Sequence, residues 1–121
     1  MILGLRTAIY PAPDLLAAKR WYAEMLGVAP CFDEPFYVGF SVGGFELGLL
    51  PEATPGTCGP QPLWGVADID SAYARLLTLG ATPLAPVADV GAGIRVAAVA
   101  DPFGNRFGII QNPHFDAGAL R

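Results

Sequence analysis

The sequence is poor in the residues that do metal and redox chemistry. It holds one histidine, His114, and two cysteines, Cys31 and Cys58, in 121 residues. Neither cysteine has a second cysteine or a histidine at metal-ligand spacing, and nothing marks an oxidising compartment, so both read as free thiols. Charged side chains make up only 15% of the chain while apolar ones reach 53%, which excludes disorder driven by charge. No apolar run approaches membrane-spanning length, so no membrane partner is expected. Basic residues are also scarce: seven Lys plus Arg stand against eleven Asp plus Glu. The resulting formal charge of −4 disfavours phosphate-backbone binding and favours neutral or cationic ligands, so nucleic acid is excluded as a partner. The N-terminal stretch Met1 to Arg6 lacks the features of a secretion signal and reads as the start of a strand, with a cytoplasmic location as the expectation.

What the chain does have is an internal repeat. Leu26-Gly27-Val28-Ala29-Pro30 returns as Leu79-Gly80-Ala81-Thr82-Pro83, 53 residues later. Each copy closes a segment of helical periodicity, Ala18, Trp21, Tyr22 and Met25 in the first and Ile69, Ala72, Tyr73 and Leu76 in the second. Both helices follow an aspartate suited to capping, Asp14 in one and Asp68 or Asp70 in the other, and both stop at a glycine. Strand-like segments precede each helix, Leu5 to Tyr10 and Gln61 to Val66. After the first helix come Phe36 to Val42 and Phe45 to Leu50, parted by Gly43-Gly44; after the second come Ile94 to Ala100 and Arg106 to Gln111, parted by Asp101-Pro102-Phe103-Gly104-Asn105. The closing strands align Phe45 with Phe107, Leu47 with Ile109 and Pro51 with Pro113 at a constant interval of 62. Pro51 to Pro60 reads as a linker and Pro83 to Gly93 as an internal loop. One domain made of two modules, residues 1–52 and 60–114, is the expected organisation.

Ala12-Pro13-Asp14-Leu15 leading to Trp21-Tyr22, the stretch Trp64 to Asp70, and the Asp-Pro-Phe-Gly-Asn hairpin before the last strand resemble the vicinal-oxygen-chelate superfamily, which includes glyoxalase I, bleomycin-resistance proteins and extradiol dioxygenases. The likeness covers nearly the whole chain. It implies an α+β fold of two tandem βαβββ modules whose eight strands form a partly closed cup, usually completed in a homodimer. It does not imply one reaction, because a fold hosts many functions.

In members that use a metal, the ligands come from the first and last strands of each module. Alignment on the capping aspartates puts Thr7 and Gln61 at the first-strand positions, and the closing strands supply Glu46 and Gly108. Glycine has no donor and threonine is a poor one, so Glu46 and Gln61 are the metal ligands if there is a metal, and the expectation is no cofactor. Strand alternation points Thr7 and Ile9, Glu46 and Gly48, Gln61 and Leu63, and Gly108 and Ile110 toward the cup, where they become candidate contacts for a ligand. Glu46 in apolar surroundings is a candidate general base or a counter-ion for a cation; alternatively it is solvated, or paired with Arg95 or Arg6. Arg95 either orients an anionic group of a ligand or lies on the surface. The two glycines either leave room for a bulky ligand or relieve crowding between strands. Tyr37 and Phe40 are candidate stacking surfaces on opposite faces of one strand, and Trp64 is expected under a helix. His114 lies beyond the last strand and reads as a tail or dimer-contact residue.

These features favour a metal-free small-molecule binder holding an apolar or aromatic ligand, of the type seen in bleomycin-resistance proteins. The competing readings are an enzyme, a lyase, isomerase or dioxygenase relative built on Glu46, and an interaction module whose surface is the functional part.

Overall fold

The computed structural model describes residues 1 and 3–119; Ile2, within the N-terminal stretch expected to begin a strand, lies outside them. The chain forms two compact units, 1–56 and 57–121. The first unit contains β1 (Thr7–Pro11), α1 (Leu15–Leu26), β2 (Phe32–Glu34), β3 (Tyr37–Val42) and β4 (Phe45–Leu50). The second contains β5 (Leu63–Gly65), α2 (Ile69–Thr78), β6 (Thr82–Gly91), β7 (Ile94–Ala100) and β8 (Arg106–Gln111), followed by a short 3-10 turn at Ala117–Ala119. Strand order is β1-β4-β3-β2 in one sheet and β5-β8-β7-β6 in the other, the same topology twice. In each, the first strand runs parallel to the last and the remaining pairs are antiparallel. The tandem βαβββ organisation is therefore present, its eight strands divided into two open four-stranded sheets.

The helices start and stop for the reasons their sequences give. The Asp14 carboxylate accepts from the Ala17 N–H at 3.2 Å, and Asp68, rather than Asp70, accepts from Ser71. Gly27 takes the left-handed conformation (φ 72°) that ends α1, and its N–H donates to Ala23. At the end of α2 the N–H of Ala81 reaches back to the Leu76 carbonyl at 3.0 Å, with Gly80 at φ 103°.

Each helix covers one face of its own sheet. Ala18 and Tyr22 of α1 are fully buried, as are Val38, Phe40, Leu47 and Leu49 of the sheet beneath. Ile69 and Leu76 of α2 are buried in the same way, with Ala97, Val99, Phe107 and Ile109 below them. At ~1.5–3 kcal/mol for each large apolar side chain removed from water, this is what holds each unit together. Trp64 lies in register with Ile109, so it points to the helix-covered face as its sequence position suggests.

Two segments depart from the sequence expectations. Pro83 to Gly93, read as a loop, is mostly β6, a ten-residue strand. It is an edge strand bonded only to β7, and its register shifts between Pro83 and Ala85, between Ala85 and Ala88, and between Asp89 and Gly91. An edge with bulges is where a sheet tolerates proline, since no inner ladder donor is lost. The second surprise is β2, three exposed residues too short to give a periodic signal.

The Asp-Pro-Phe-Gly-Asn motif serves the fold. Asp101 is buried, and its Oδ1 accepts the N–H groups of both Phe103 and Asn105 at 2.9 Å. Backbone pairing of Asp101 N–H to the Asn105 carbonyl at 2.8 Å closes the turn into β8.

Candidate functional site

With one face of each sheet under its helix, the candidate residues collect on the other, open face. In the first unit the parallel register pairs Thr7 with Glu46 and Ile9 with Gly48. On the next strand Gly39 pairs with Gly48, and Tyr37 shares the parity of Gly39. Tyr37 Oη donates to Glu46 Oε1 at 2.7 Å, and Thr7 Oγ1 donates weakly to the same oxygen at 3.4 Å. No described residue donates to Glu46 Oε2, and Glu46 makes no ion pair with Arg95 or Arg6: the Arg6 guanidinium reaches the Leu5 carbonyl instead.

The two cross-strand glycines explain how this pair sits on the sheet. A Cβ at Gly48 would overlap the Tyr37 hydroxyl and ring, and a Cβ at Gly39 would lie 2.8 Å from Glu46 Oε2. The phenol therefore lies over Gly48 and the carboxylate over Gly39. The Tyr37 ring fills the space over Gly48. Burial, reinforced by the hydrogen bond to Glu46 and its negative charge, pushes the Tyr37 phenol far above its ordinary pKa. At neutral pH it is a fixed donor. Phe40, on the opposite face, is fully buried in the core, so Tyr37 alone of the two strand aromatics reaches the open face.

Two more aromatics complete this surface. Phe32 pairs with Gly39, its ring centroid 6.1 Å from Tyr37 and 6.0 Å from Phe36, at interplanar angles of 59° and 65°. Cys31 holds Phe32 in place through its N–H, which donates to the Gly39 carbonyl at 2.8 Å. Phe32 and Phe36 were absent from the sequence candidates. The available signal was the density of rings in Phe32-Asp33-Glu34-Pro35-Phe36-Tyr37 just ahead of a strand glycine.

The open face of the second unit is different. Here the parallel register pairs Leu63 with Gly108 and Gly65 with Ile110, and β7 brings Val96 and Ala98 opposite Ile110 and Gly108. Leu63, not Gln61, is thus the counterpart of Thr7. Alignment on the capping aspartates misplaces the position by two residues because the first strand is two residues shorter in this unit, three residues against five, while the connection to the helix is three residues in both. Gln61 lies before β5, exposed. A Cβ at Gly108 would lie 2.6 Å from Leu63 Cδ2 and 3.0 Å from the Pro62 carbonyl, so the leucine tip fills the space over this glycine.

Arg95 belongs to the other face. It pairs in register with Gln111, alternates with Val96, and its guanidinium grips Asp70 of α2 through two hydrogen bonds of 2.9 and 3.1 Å. That carboxylate, first of all, raises the pKa of the guanidinium. Gln111 also serves the helix, its Oε1 accepting the Ile69 N–H at 2.9 Å. His114 Nε2 lies 2.7 Å from the Ala92 carbonyl, tying the segment after β8 to the β6–β7 turn. On the helix side of the first unit, a shallow groove of about 330 Å³ separates Leu15, Leu16 and Lys19 of α1 from the β2–β3 hairpin. The Lys19–Asp33 ion pair of 3.1 Å spans those two elements.

The four strand positions test whether a metal fits. They hold a threonine, a glutamate, a leucine and a glycine: one strong donor, one weak, and two side chains with none. Tyr37, held protonated, adds a donor of hydrogen bonds rather than an anionic ligand. Among the described residues no three His, Cys, Asp or Glu side chains come together in a way that could hold an ion. These residues do not fit a divalent metal.

Two sheets of identical strand order, each with a parallel outer pair and one helix, define a tandem βαβββ protein. The chain belongs to the Glyoxalase/Bleomycin resistance protein/Dioxygenase superfamily, whose model matches residues 4–109. Solved structures share the fold. A glyoxalase-related enzyme from Fulvimarina pelagi is 24% identical, with 93% of this chain and 90% of that one covered at a TM-score of 0.73. A superfamily member from Sphaerobacter thermophilus is 25% identical, covering 93% and 99% at 0.74. A putative glyoxalase family protein from Bacillus anthracis is 21% identical, covering 93% and 97% at 0.74. No curated protein matches. No helix among the described residues is long and apolar enough to cross a membrane.

Proposed function

We propose that the chain is a small-molecule-binding member of its superfamily that works without a metal, using the open face of the first unit. One observation carries this reading: the first- and last-strand positions offer a single carboxylate, Glu46, beside Thr7, Leu63 and Gly108. A leucine and a glycine give an ion nothing to replace its hydration shell with, so binding must rest on other contacts. Those are available. Glu46 Oε2, beside Thr7, accepts from no described residue, and Ile9, 54% exposed, supplies apolar surface on the same strand as Thr7. A few placed polar groups in apolar surroundings is the ordinary make-up of a ligand site.

The enzymatic alternative, with Glu46 as base, calls for a second acid wherever the proton is delivered beyond the reach of Glu46 itself. The titratable group in contact with Glu46 is Tyr37, whose phenol is held above its ordinary pKa by burial and by the carboxylate, which makes it a weak acid at neutral pH. The binding reading therefore ranks first. Elemental analysis of protein as purified should find only substoichiometric divalent metal. A thermal-shift screen of small aromatic molecules should find ligands whose effect on Tm survives EDTA. A stoichiometric ion whose removal abolishes that effect would sink the proposal.

A further inference from the structure

We infer that the open face of the first unit selects an organic cation, a positively charged nitrogen carried on an apolar or aromatic body. The inference rests on the small-molecule-binding reading above and names the class of ligand. Glu46 is a carboxylate with one oxygen held by Tyr37 and Thr7 and the other without a donor among the described residues. No described lysine, arginine or histidine pairs with it; Lys19 pairs with Asp33 and Arg95 with Asp70. A half-buried carboxylate left without a counter-ion on an apolar surface attracts positive charge and repels negative charge.

The aromatic rings make the site selective for an organic cation over a hydrated inorganic one. Gly39 is the common floor: it pairs with Phe32, its missing Cβ would lie 2.8 Å from Glu46 Oε2, and that same point is 3.4 Å from the Tyr37 ring. Carboxylate oxygen and phenol edge thus border one spot, with Phe32 across from it. Phe32 is 43% and Phe36 63% exposed, so neither ring is consumed by the core. Their steep mutual angles leave ring faces open where a sandwich would hide them. A cation over such a face is attracted by the ring quadrupole, and a substituted ammonium ion loses less hydration than a metal ion to reach it.

The test uses three probes of similar shape and different charge, benzyltrimethylammonium, benzyl alcohol and benzoate, titrated calorimetrically into the full chain. The cation should bind saturably and about tenfold more tightly than the alcohol, and benzoate should not bind, as expected for one ionic contact plus ring contacts. Glu46→Gln keeps an oxygen for the Tyr37 hydrogen bond and removes the charge; it should weaken the cation about tenfold and leave the alcohol unchanged. Phe32→Leu and Phe36→Leu keep apolar bulk and should each weaken the cation about threefold. Equal binding of cation and alcohol, or a Glu46→Gln variant that holds the cation as tightly as the wild type, would overturn the cation assignment while leaving small-molecule binding intact. Failure of all three probes, with EDTA-resistant ligands still found in the screen, would overturn it too. A screen with no ligand would remove both readings.

Discussion

The two units have the same strands in the same order, and they differ on the face that the helix does not cover. In the first, Glu46 sits on the closing strand with a glycine two positions on; in the second, the equivalent residue is the glycine, Gly108, with Ile110 two positions on. Each glycine is roofed by a neighbour, Gly48 by the Tyr37 phenol and Gly108 by the Leu63 side chain. One open face thus carries a carboxylate clasped by hydroxyls; the other carries Leu63, Val96, Ala98 and Ile110, with Arg106 on the same face at the start of β8. The helix-covered faces diverge less, with Leu47 matched by Ile109 and both buried. Duplicated modules can hold a common core while only one of them places a carboxylate at the shared closing-strand position.

The largest expected effect concerns the hairpin turns that lead into the closing strands. The first unit turns on Gly43-Gly44, both at positive φ, where the backbone alone makes the turn. The second turns around the buried Asp101 carboxylate, which satisfies two backbone N–H groups. Asp101→Ala leaves those donors without their acceptor and should cost about 3 kcal/mol in urea unfolding. Gly44→Ala, which forces a side chain into the left-handed region, should cost about 1 kcal/mol. Equal costs would mean that the two turns bear the same load.

Next comes the pair of roofed glycines. Gly48→Ala drives a methyl into the Tyr37 ring and should cost about 2 kcal/mol, since a rigid ring must leave the sheet. Gly108→Ala meets the flexible tip of Leu63 and a nearby carbonyl, and about 1 kcal/mol is expected. The sharper readout is spectroscopic. In a residue-resolved NMR titration the Tyr37 phenol should resist ionisation at alkaline pH in the wild type, and in Gly48→Ala that resistance should fall as Tyr37 leaves Glu46. Gly108→Ala should not move it. An unchanged tyrosine titration in Gly48→Ala would show that the ring does not depend on that glycine for its place.

These contrasts show which features the sequence made legible. The repeat, both helices with their caps, and the strands β3, β4, β7 and β8 follow from periodicity and from turn residues. Those signals are local. The β6 strand was hidden because Pro83 and Pro86 read as breakers wherever the strand's edge position is unknown. Thr7 and Glu46 were placed on one face by alignment and alternation, but Gln61 was placed where Leu63 stands, since counting back from a cap assumes that both first strands have equal length. Arg95 was left open between ligand and surface for a different reason: its partner Asp70 is 25 residues distant, and only the register of β7 against β8 shows that it faces the helix. The Tyr37–Glu46 bond and the Phe32 contact depend on cross-strand neighbours, which no one-dimensional spacing contains.

The smallest expected effect compares the helix caps. Asp14 caps α1 through the Ala17 N–H, whereas Asp68 caps α2 through the Ser71 N–H and also accepts from the Ser71 hydroxyl at 2.9 Å. The Ser71 hydroxyl, ahead of the backbone N–H groups, holds the Asp68 carboxyl below its ordinary value. In the unfolded chain that carboxyl titrates near ~3.9. The cap's contribution to stability is therefore complete above that pH and is lost as the pH falls through the lower folded value. Ser71→Ala removes the leading cause, so an NMR titration of the Asp68 carboxyl should move back toward the ordinary range, and the loss of stability on acidification should shrink. Because the carboxylate is fully exposed, solvent screening keeps the stability change small. An Asp68 midpoint unmoved in Ser71→Ala would assign the depression to the backbone N–H groups and the charge of Arg95, and leave the hydroxyl without a part in the cap.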